Sequence, residues 1–218
     1  FYREATPVFE ALPWNYELIF VNDGSADASG QILAELAAAD PRVRVINFSR
    51  NFGHEAAMLA GLDHSSGEGI VCMDADLQHP PECVAQIIEK FEEGYEVINM
   101  VRTKNKSAGF IKNLTSSAFY KFLNKISDVK LENNASDFFA LTANAAQVLK
   151  TNYREKVRFL RGYVQNIGFN RTTIEYEARA RVAGESKYSI RKLFKFSINT
   201  ILCFSDLPLK LGIYSGII

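Results

Sequence analysis

The sequence is poor in the residues that hold transition metals or cross-link secreted proteins. Its 218 residues include three cysteines and three histidines. The odd number of cysteines and the lack of C-x-x-C spacing predict free thiols in a reducing compartment; they are Cys72, Cys83 and Cys203. The scattered histidines show no zinc-site spacing; they are His54, His64 and His79. Disulfide scaffolds and transition-metal chemistry are therefore disfavoured.

The chain also lacks an excess of charge and a long apolar run. Lys and Arg number 25, and Asp and Glu also number 25, so no overall field favours nucleic acid as a partner. No signal segment precedes Phe1, and the apolar run 211–218 is shorter than the about 20 residues of a membrane span. We expect a fragment of a longer chain, with residues 206–218 beginning a membrane segment.

What is present is a regular alternation of apolar strands and amphipathic helices. Strands are predicted at 17–22, 43–48, 70–73 and 97–101. Each of the first three is followed by a turn and then by a helical pattern. A hydrophobic content of 47% allows a sizeable core. The alternation predicts an α/β fold with a mainly parallel sheet flanked by helices, and one domain over residues 1–178. Ligands are expected at the carboxyl ends of the strands.

The most informative stretch runs from Ile70 to Pro81, where an apolar strand ends in two acids and a double proline. Because side chains alternate in extended chain, Asp74 and Asp76 point to one side, and Gln78 follows if the backbone stays extended. Their oxygens suit Mg²⁺ or Mn²⁺ completed by substrate phosphates, so a diphosphate substrate is implied. The alternative is a solvated turn that only helps to cap the helix predicted from Pro81.

Towards the carboxyl end, basic residues flank an apolar stripe. Residues 179–195 carry six basic side chains and one acid, and a helix is predicted from Ser186 to Leu202. A helix of this kind can lie in a membrane interface, with its basic side chains near anionic head groups. The alternative is a helix packed on the sheet with a solvated charged face; the apolar run after Pro208 favours the membrane.

Three motifs in this order resemble family 2 glycosyltransferases of the polyprenyl-phosphate type. They are V-N-D-G-S at 21–25, M-D-A-D-L-Q-H-P-P at 73–81 and R-V-A-G-E-S-K-Y at 181–188. The resemblance covers nearly the whole chain from Glu17 and implies a GT-A fold and an inverting, metal-dependent transfer of sugar from a nucleoside diphosphate sugar to a polyprenyl phosphate. It also implies the cytoplasmic face of the membrane and association of copies through membrane helices outside this chain.

The resemblance assigns roles to particular residues of this sequence. The donor would be bound by Asp23, which meets the base, and by Gly24, Ser25, Asp74 and Arg102. The metal ligands would be Asp74, Asp76 and Gln78. The acceptor phosphate would meet a separate loop, 179–205 with its helix, through Arg181, Gly184, Ser186 and Lys187. Asp76, Asp137 and Arg181 are the expected catalytic residues.

Several of these assignments have alternatives. Asp23 could instead cap the following helix, and Asp137 could be a structural acid paired with a nearby arginine. Asn22 replaces the first acid of the usual V-D-D-G-S, and Phe139 stands where the family's S-D-F-R motif has arginine, so Arg102 or Lys104 would have to supply that charge. The family's first strand is also missing, which removes part of the nucleotide pocket.

Two rival functions are also compatible with these motifs. One is a transferase of the same fold that acts on a saccharide, although the absence of a Q-x-x-R-W pattern disfavours a processive polysaccharide synthase. The other is a non-catalytic nucleotide-sugar binder at the membrane, for which Phe139 is the hint. Turnover would separate the two, because fold alone does not decide function.

Overall fold

A computed structural model describes residues 1–103, 135–155, 158–179, 201 and 207–217. The helices are α1 (Tyr2–Glu10), α2 (Ser29–Ala39), α3 (His54–Asp63), α4 (Cys83–Glu92), α5 (Ala143–Asn152), α6 (Leu160–Asn166) and α7 (Leu207–Ile217). The strands are β1 (Leu18–Asn22), β2 (Val43–Asn47), β3 (Gly69–Cys72), β4 (Val97–Arg102), β5 (Ala135–Thr142) and β6 (Arg171–Tyr176). The predicted alternation of strands and helices is confirmed within these ranges.

The described strands form one parallel pair and one mixed sheet. β1 and β2 pair in parallel, and the second sheet has the order β3-β5-β4-β6. In that sheet β4 and β6 are parallel, whereas β5 runs antiparallel to both β3 and β4. The α/β class is as predicted. The antiparallel β5 was not anticipated, because its apolar run reads the same in either direction.

Strand β5 connects the two hydrophobic clusters that hold this sheet between helices. Phe138 and Ala140 pack in a cluster with Ile87 of α4, whereas Phe139 and Leu141 pack with residues of α3, α5 and α6. This division follows from the alternation of side chains along a strand. Each of these four β5 side chains is at most 1% exposed. Burying a large apolar side chain of this kind contributes about 1.5–3 kcal/mol, so β5 is a main source of stability.

Two details of the central stretch differ from the prediction. The apolar run before Asp74 predicts a strand buried on both faces. Val71 and Cys72 of β3 are only partly buried, however, and the most buried strands are β4 and β5. The reason is that β3 pairs only with β5 in the described part of the chain. The helix expected from Pro81 begins at Cys83, because Pro81 and Glu82 lie in the preceding turn.

Cys72 and Cys83 are free thiols, as predicted. Desolvation of the Cys72 sulfur by the surrounding protein, together with the nearby Asp137 and Asp74 carboxylates, raises the pKa of Cys72 to about 12. Cys203 and Lys104 lie outside the described residues, as does the helix predicted over 186–202 except for residue 201. Across the described ranges, no helix has the length and apolarity needed to traverse a bilayer.

Candidate active site

A buried histidine holds the first acid of the D-A-D motif. The Asp74 amide donates a hydrogen bond to Nδ1 of His79 at 2.9 Å. His79 is 2% exposed, and its ring stacks on Phe138 and meets Tyr176 edge-on. Burial lowers the pKa of His79, which agrees with a neutral ring whose Nδ1 accepts and whose proton is on Nε2. That Nε2 lies 3.8 Å from Asp74 Oδ2, beyond hydrogen-bond distance, so the ring positions Asp74 through its backbone amide.

The chain turns sharply after Asp74 instead of remaining extended. Leu77 has φ 62°, in the left-handed region that a leucine rarely adopts, and its side chain is buried. Asp76 Oδ1 accepts the amide hydrogen of Gln78 at 3.0 Å, which closes the turn. Backbone strain of this kind costs about 1–3 kcal/mol and is concentrated at functional sites.

Gln78, in the turn after Asp74, contacts two other segments of the chain. Its side-chain Oε1 lies 3.4 Å from the Arg102 guanidinium, at the end of β4. Its backbone carbonyl accepts the amide hydrogen of Arg179 at 3.3 Å. The structure therefore brings the predicted donor residue Arg102 next to the predicted metal ligand Gln78. Arg181, Gly184, Ser186 and Lys187, the predicted acceptor residues, lie outside the described residues.

Asp137 forms an ion pair with Arg161 that the sequence patterns did not identify. Arg161 Nε lies 2.9 Å from Oδ1, and its terminal nitrogen lies 2.7 Å from Oδ2. Burial alone would raise the pKa of Asp137, but Arg161 and His54 outweigh it and hold that pKa well below its ordinary range. The alternative role of Asp137 as an acid paired with an arginine thus has a physical basis. A carboxylate with such a low pKa is a weak proton acceptor.

His54 connects Asp137 with the D-A-D motif. Its Nε2 lies 3.4 Å from Asp137 Oδ2 and 3.8 Å from Asp74 Oδ1. The Asp137 carboxylate raises the pKa of His54 to about 9. In the sequence patterns this histidine is only one of three scattered ones. Its place at the start of a helix, directly after a polar loop that follows a strand, was the available signal.

The neighbour of His54 secures the helix that carries Arg161. Glu55 Oε2 accepts the amide hydrogen of Leu160, the first residue of α6, at 2.8 Å. Burial raises the pKa of Glu55. The first turn of α3 therefore contacts Asp137 through His54 and fixes the start of α6 through Glu55.

Asp23 organises the loop before α3 and does not cap α2. Its two carboxylate oxygens accept the amide hydrogens of Phe52 at 2.6 Å and Gly53 at 3.0 Å. The amide of Ser29, at the start of α2, is bound instead by Asp27. The capping alternative for Asp23 is therefore wrong, and both of its oxygens already have a partner.

The glycine of the same motif is required by a close approach of two loops. Gly24 has φ +67°, and any side chain at this position would collide with the backbone of Arg50. Ser25 donates its backbone amide to the Asn22 side chain at 3.0 Å. The V-N-D-G-S motif thus packs directly on the loop that leads to His54.

Phe139, the departure from the family's motif, lies in the hydrophobic core. It is 1% exposed and packs among apolar side chains that include Leu59 and Leu62 of α3. The charge that an arginine would bring is absent at this position. Arg161 and His54 supply positive charge beside Asp137, and Arg102 supplies it beside Gln78.

The oxygen donors of the D-A-D turn fit a divalent ion that is shared with a substrate. In the part of the chain that the structure describes, no three His, Cys, Asp or Glu side chains are grouped to hold a metal by themselves. Two carboxylates and an amide oxygen are hard ligands, and Mg²⁺ commonly takes one or two carboxylates and completes its shell with water and phosphates. The donor set therefore suits a substrate-completed site and not a closed protein cage.

Comparison with known proteins places these features in a family. Residues 8–147 match the model of glycosyl transferase family 2. The chain is 45% identical over its whole length to an uncharacterized glycosyltransferase, YkcC, of Bacillus subtilis, of which it covers 67%. It is 37% identical over 99% of its length to a bactoprenol glucosyl transferase of Shigella phage SfV, of which it covers 72%.

Solved structures confirm the GT-A fold. Mannosyl-3-phosphoglycerate synthase from Rubrobacter xylanophilus matches 98% of this chain, with a TM-score of 0.63 and 14% identity, and 69% of that chain is covered. The mannosyltransferase PcManGT from Pyrobaculum calidifontis, solved with GDP-Man and Mn²⁺, matches 79% of this chain with a TM-score of 0.52 and 14% identity. Half of that chain is covered. On the family match and the close relatives, this chain belongs to the family 2 glycosyltransferases and is a glycosyltransferase.

Proposed function

We propose that the protein transfers one sugar from a nucleoside diphosphate sugar to a polyprenyl phosphate, with inversion and with Mg²⁺ or Mn²⁺. The observation that carries this proposal is the hydrogen bond from the Arg179 amide to the Gln78 carbonyl. This hydrogen bond holds Arg179 against the turn that would bind the donor diphosphate. The predicted acceptor residues follow Arg179 in the sequence, so the acceptor segment would begin beside the donor. The name of the phage relative, a bactoprenol glucosyl transferase, supports the same acceptor class.

The donor is proposed to bind over the D-A-D turn. Asp74 and Asp76 would hold the ion with Gln78, and the ion would neutralise the charge that develops on the leaving diphosphate. His79 keeps Asp74 in place without adding charge, because its ring is buried and neutral. Arg102 beside Gln78 supplies a fixed cation near the same diphosphate. The structural neighbour that contains GDP-Man and Mn²⁺ shares the fold on which this turn is built.

Asp23, Gly24 and Ser25 are proposed to line the nucleoside side of the donor site. Asp23 uses its two oxygens to hold the Phe52–Gly53 backbone. A carboxylate has about four acceptor positions, so it can accept a further hydrogen bond from a nucleobase N–H. Gly24 permits the close packing of the two loops that border this region.

The acceptor phosphate is proposed to need positioning and not deprotonation. A polyprenyl phosphate is already anionic at neutral pH, and Arg181, Gly184, Ser186 and Lys187 would bind it. The low pKa of Asp137 agrees with such an acceptor, because no strong base is then needed. Asp137 acts in this proposal as a fixed negative charge near the reacting carbon.

The membrane is proposed as the place of the reaction. Residues 1–178 would form the transferase domain, residues 179–205 the acceptor loop with an interfacial helix, and residues 206–218 the start of a membrane segment. The basic residues of 179–195 suit the anionic cytoplasmic leaflet. Association of copies through membrane helices is part of the same proposal.

The first experiment separates a transferase from a binder. The intact protein is incubated with Mg²⁺ or Mn²⁺, undecaprenyl phosphate and a panel of radiolabelled nucleotide sugars. Label that moves into the organic phase supports the proposed transfer. Binding of the nucleotide sugar without movement of label would instead support a non-catalytic binder.

A further inference from the structure

One nitrogen of the His54 imidazole lies between two carboxylates of the site. Nε2 lies 3.4 Å from Asp137 and 3.8 Å from Asp74. Within the described ranges, Nδ1 of His54 has no hydrogen-bond partner, and 47% of the side chain is exposed. A half-exposed ring in a polar site therefore retains one nitrogen that can bind a ligand.

The position of His54 matches the part of the donor that lies beyond the diphosphate. The following inference rests on the proposed function. The proposed function puts the diphosphate at Asp74 and Asp76 and the reacting carbon near Asp137, so the sugar would lie between these two places. His54 contacts both Asp74 and Asp137, so its ring borders the space between them.

We infer that His54 binds a hydroxyl group of the transferred sugar and so determines which sugar is accepted. A hydroxyl can both donate and accept a hydrogen bond, so Nδ1 can bind it in either protonation state of the ring. A site built to bind a substrate hydroxyl discriminates strongly against the analogue that lacks it. His54 is on this account a specificity-determining residue.

The V-N-D-G-S motif positions this histidine. Gly53, which precedes His54, has φ +97°, and its carbonyl accepts the first amide hydrogens of α3, from Ala56 and Ala57. The Gly53 amide is held by Asp23. Asp23 is therefore a positioning residue for His54, and the orientation of the sugar-binding ring depends on an acid 31 positions earlier in the sequence.

The test combines two changes in a double-mutant-type cycle: single hydroxyls are removed from the sugar, and the imidazole is removed from the protein. The intact protein with Mg²⁺ and undecaprenyl phosphate is given UDP-glucose and its 2-, 3-, 4- and 6-deoxy analogues, and kcat/KM is measured for each. In the wild type, loss of the contacted hydroxyl lowers kcat/KM by about tenfold to a hundredfold. In His54→Ala, removal of the same hydroxyl lowers kcat/KM by less than about threefold, because the imidazole that binds this hydroxyl is already absent.

Matched variants separate this contact from a general effect on the fold. His64→Ala changes the histidine at the other end of α3, whose Nδ1 contacts the Ala60 carbonyl, and it keeps the wild-type pattern of discrimination. His54→Gln retains a side chain that can bind a hydroxyl and recovers part of the discrimination. Asp23→Asn weakens discrimination at the same hydroxyl as His54→Ala does.

A uniform loss in His54→Ala, equal for UDP-glucose and every deoxy analogue, overturns the inference. Binding tests the contact apart from turnover, by calorimetric titration of UDP and of UDP-glucose into the Mg²⁺-loaded protein. The glucose unit should increase affinity in the wild type and not in His54→Ala; an equal increase in both overturns the inference. Absence of lipid-linked product in the wild type contradicts the proposed function alone, because the titration does not depend on the acceptor.

Discussion

Arg161 forms a bidentate ion pair with Asp137, with its Nε 2.9 Å from one carboxylate oxygen and its terminal nitrogen 2.7 Å from the other. Both side chains are about one-fifth exposed, so the pair is only partly screened by water. This arrangement keeps Asp137 charged and directs its two oxygens. It explains how an acid inside the apolar run of β5 is tolerated.

Removal of Arg161 should destabilise the protein, because it leaves the Asp137 charge without its main partner. We expect Arg161→Ala to lower the free energy of unfolding by about 2–3 kcal/mol, measured by urea denaturation. Arg161→Lys should lose less, since it keeps the charge but not the two-point geometry. The control is Arg154→Ala, which removes a surface pair with Asp63 and should cost less than about 1 kcal/mol. Equal losses in the two alanine variants would contradict a special role for the Asp137 pair.

Removal of charge from the D-A-D turn should abolish most turnover. Asp76→Asn and Asp74→Asn should each lower kcat by about a hundredfold or more, because charge stabilisation at a reacting centre is lost. The measurement is sugar transfer as a function of Mg²⁺ concentration. Asp63→Asn, at the end of α3, serves as the control and should retain wild-type turnover. Undiminished activity of the wild type without a divalent ion would rule out the proposed metal site.

Asp23 should affect both the loop before α3 and the donor. Asp23→Ala removes the acceptors of two backbone amides, so we expect a loss of about 1–2 kcal/mol in stability. Affinity for the nucleoside diphosphate should also fall, as measured by isothermal titration. A variant with lowered stability and unchanged affinity would show that Asp23 only holds the loop.

Stability should fall in acid partly because of Glu17, which precedes β1. Burial alone would raise the pKa of Glu17, but hydrogen bonds from Ser66 and Arg44 outweigh it, so the pKa lies below its ordinary value of 4.5. A lowered pKa in the folded state contributes stability above about pH 4.5 that is lost as the pH falls through the folded value. Glu17→Gln should therefore be less stable than the wild type at neutral pH, and the difference should shrink towards about pH 3. Urea midpoints measured across this range would contradict the assignment if the difference stayed constant.

The sequence was sufficient for features that depend on local patterns. The strand before Asp23 and the helix after it follow from apolar periodicity, and the structure confirms both. The ordered motifs identified the family, which the comparisons confirm. The approach of Arg102 to Gln78 agrees with the rule that loops at strand ends form the ligand site.

Features that depend on long-range contacts could not be read from the sequence. Arg161 meets Asp137, and Asp23 meets Gly53, across gaps of 24 and 30 positions that no periodicity marks. The antiparallel direction of β5 is likewise decided by packing, since a fully buried strand shows no alternation. The left-handed conformation at Leu77 gave no signal either, because glycine and asparagine are the usual residues there.

The central claim is that a lipid phosphate accepts the sugar, and a competition between acceptors tests it most directly. The intact protein receives one radiolabelled nucleotide sugar that it turns over, Mg²⁺, and equal concentrations of undecaprenyl phosphate, undecaprenol and a soluble oligosaccharide. Phase partition and chromatography then identify the labelled product. We expect label in undecaprenyl phosphate alone, because the acceptor site is proposed to bind a phosphate at the membrane surface. Label in the oligosaccharide, with undecaprenyl phosphate left unmodified, would contradict the account.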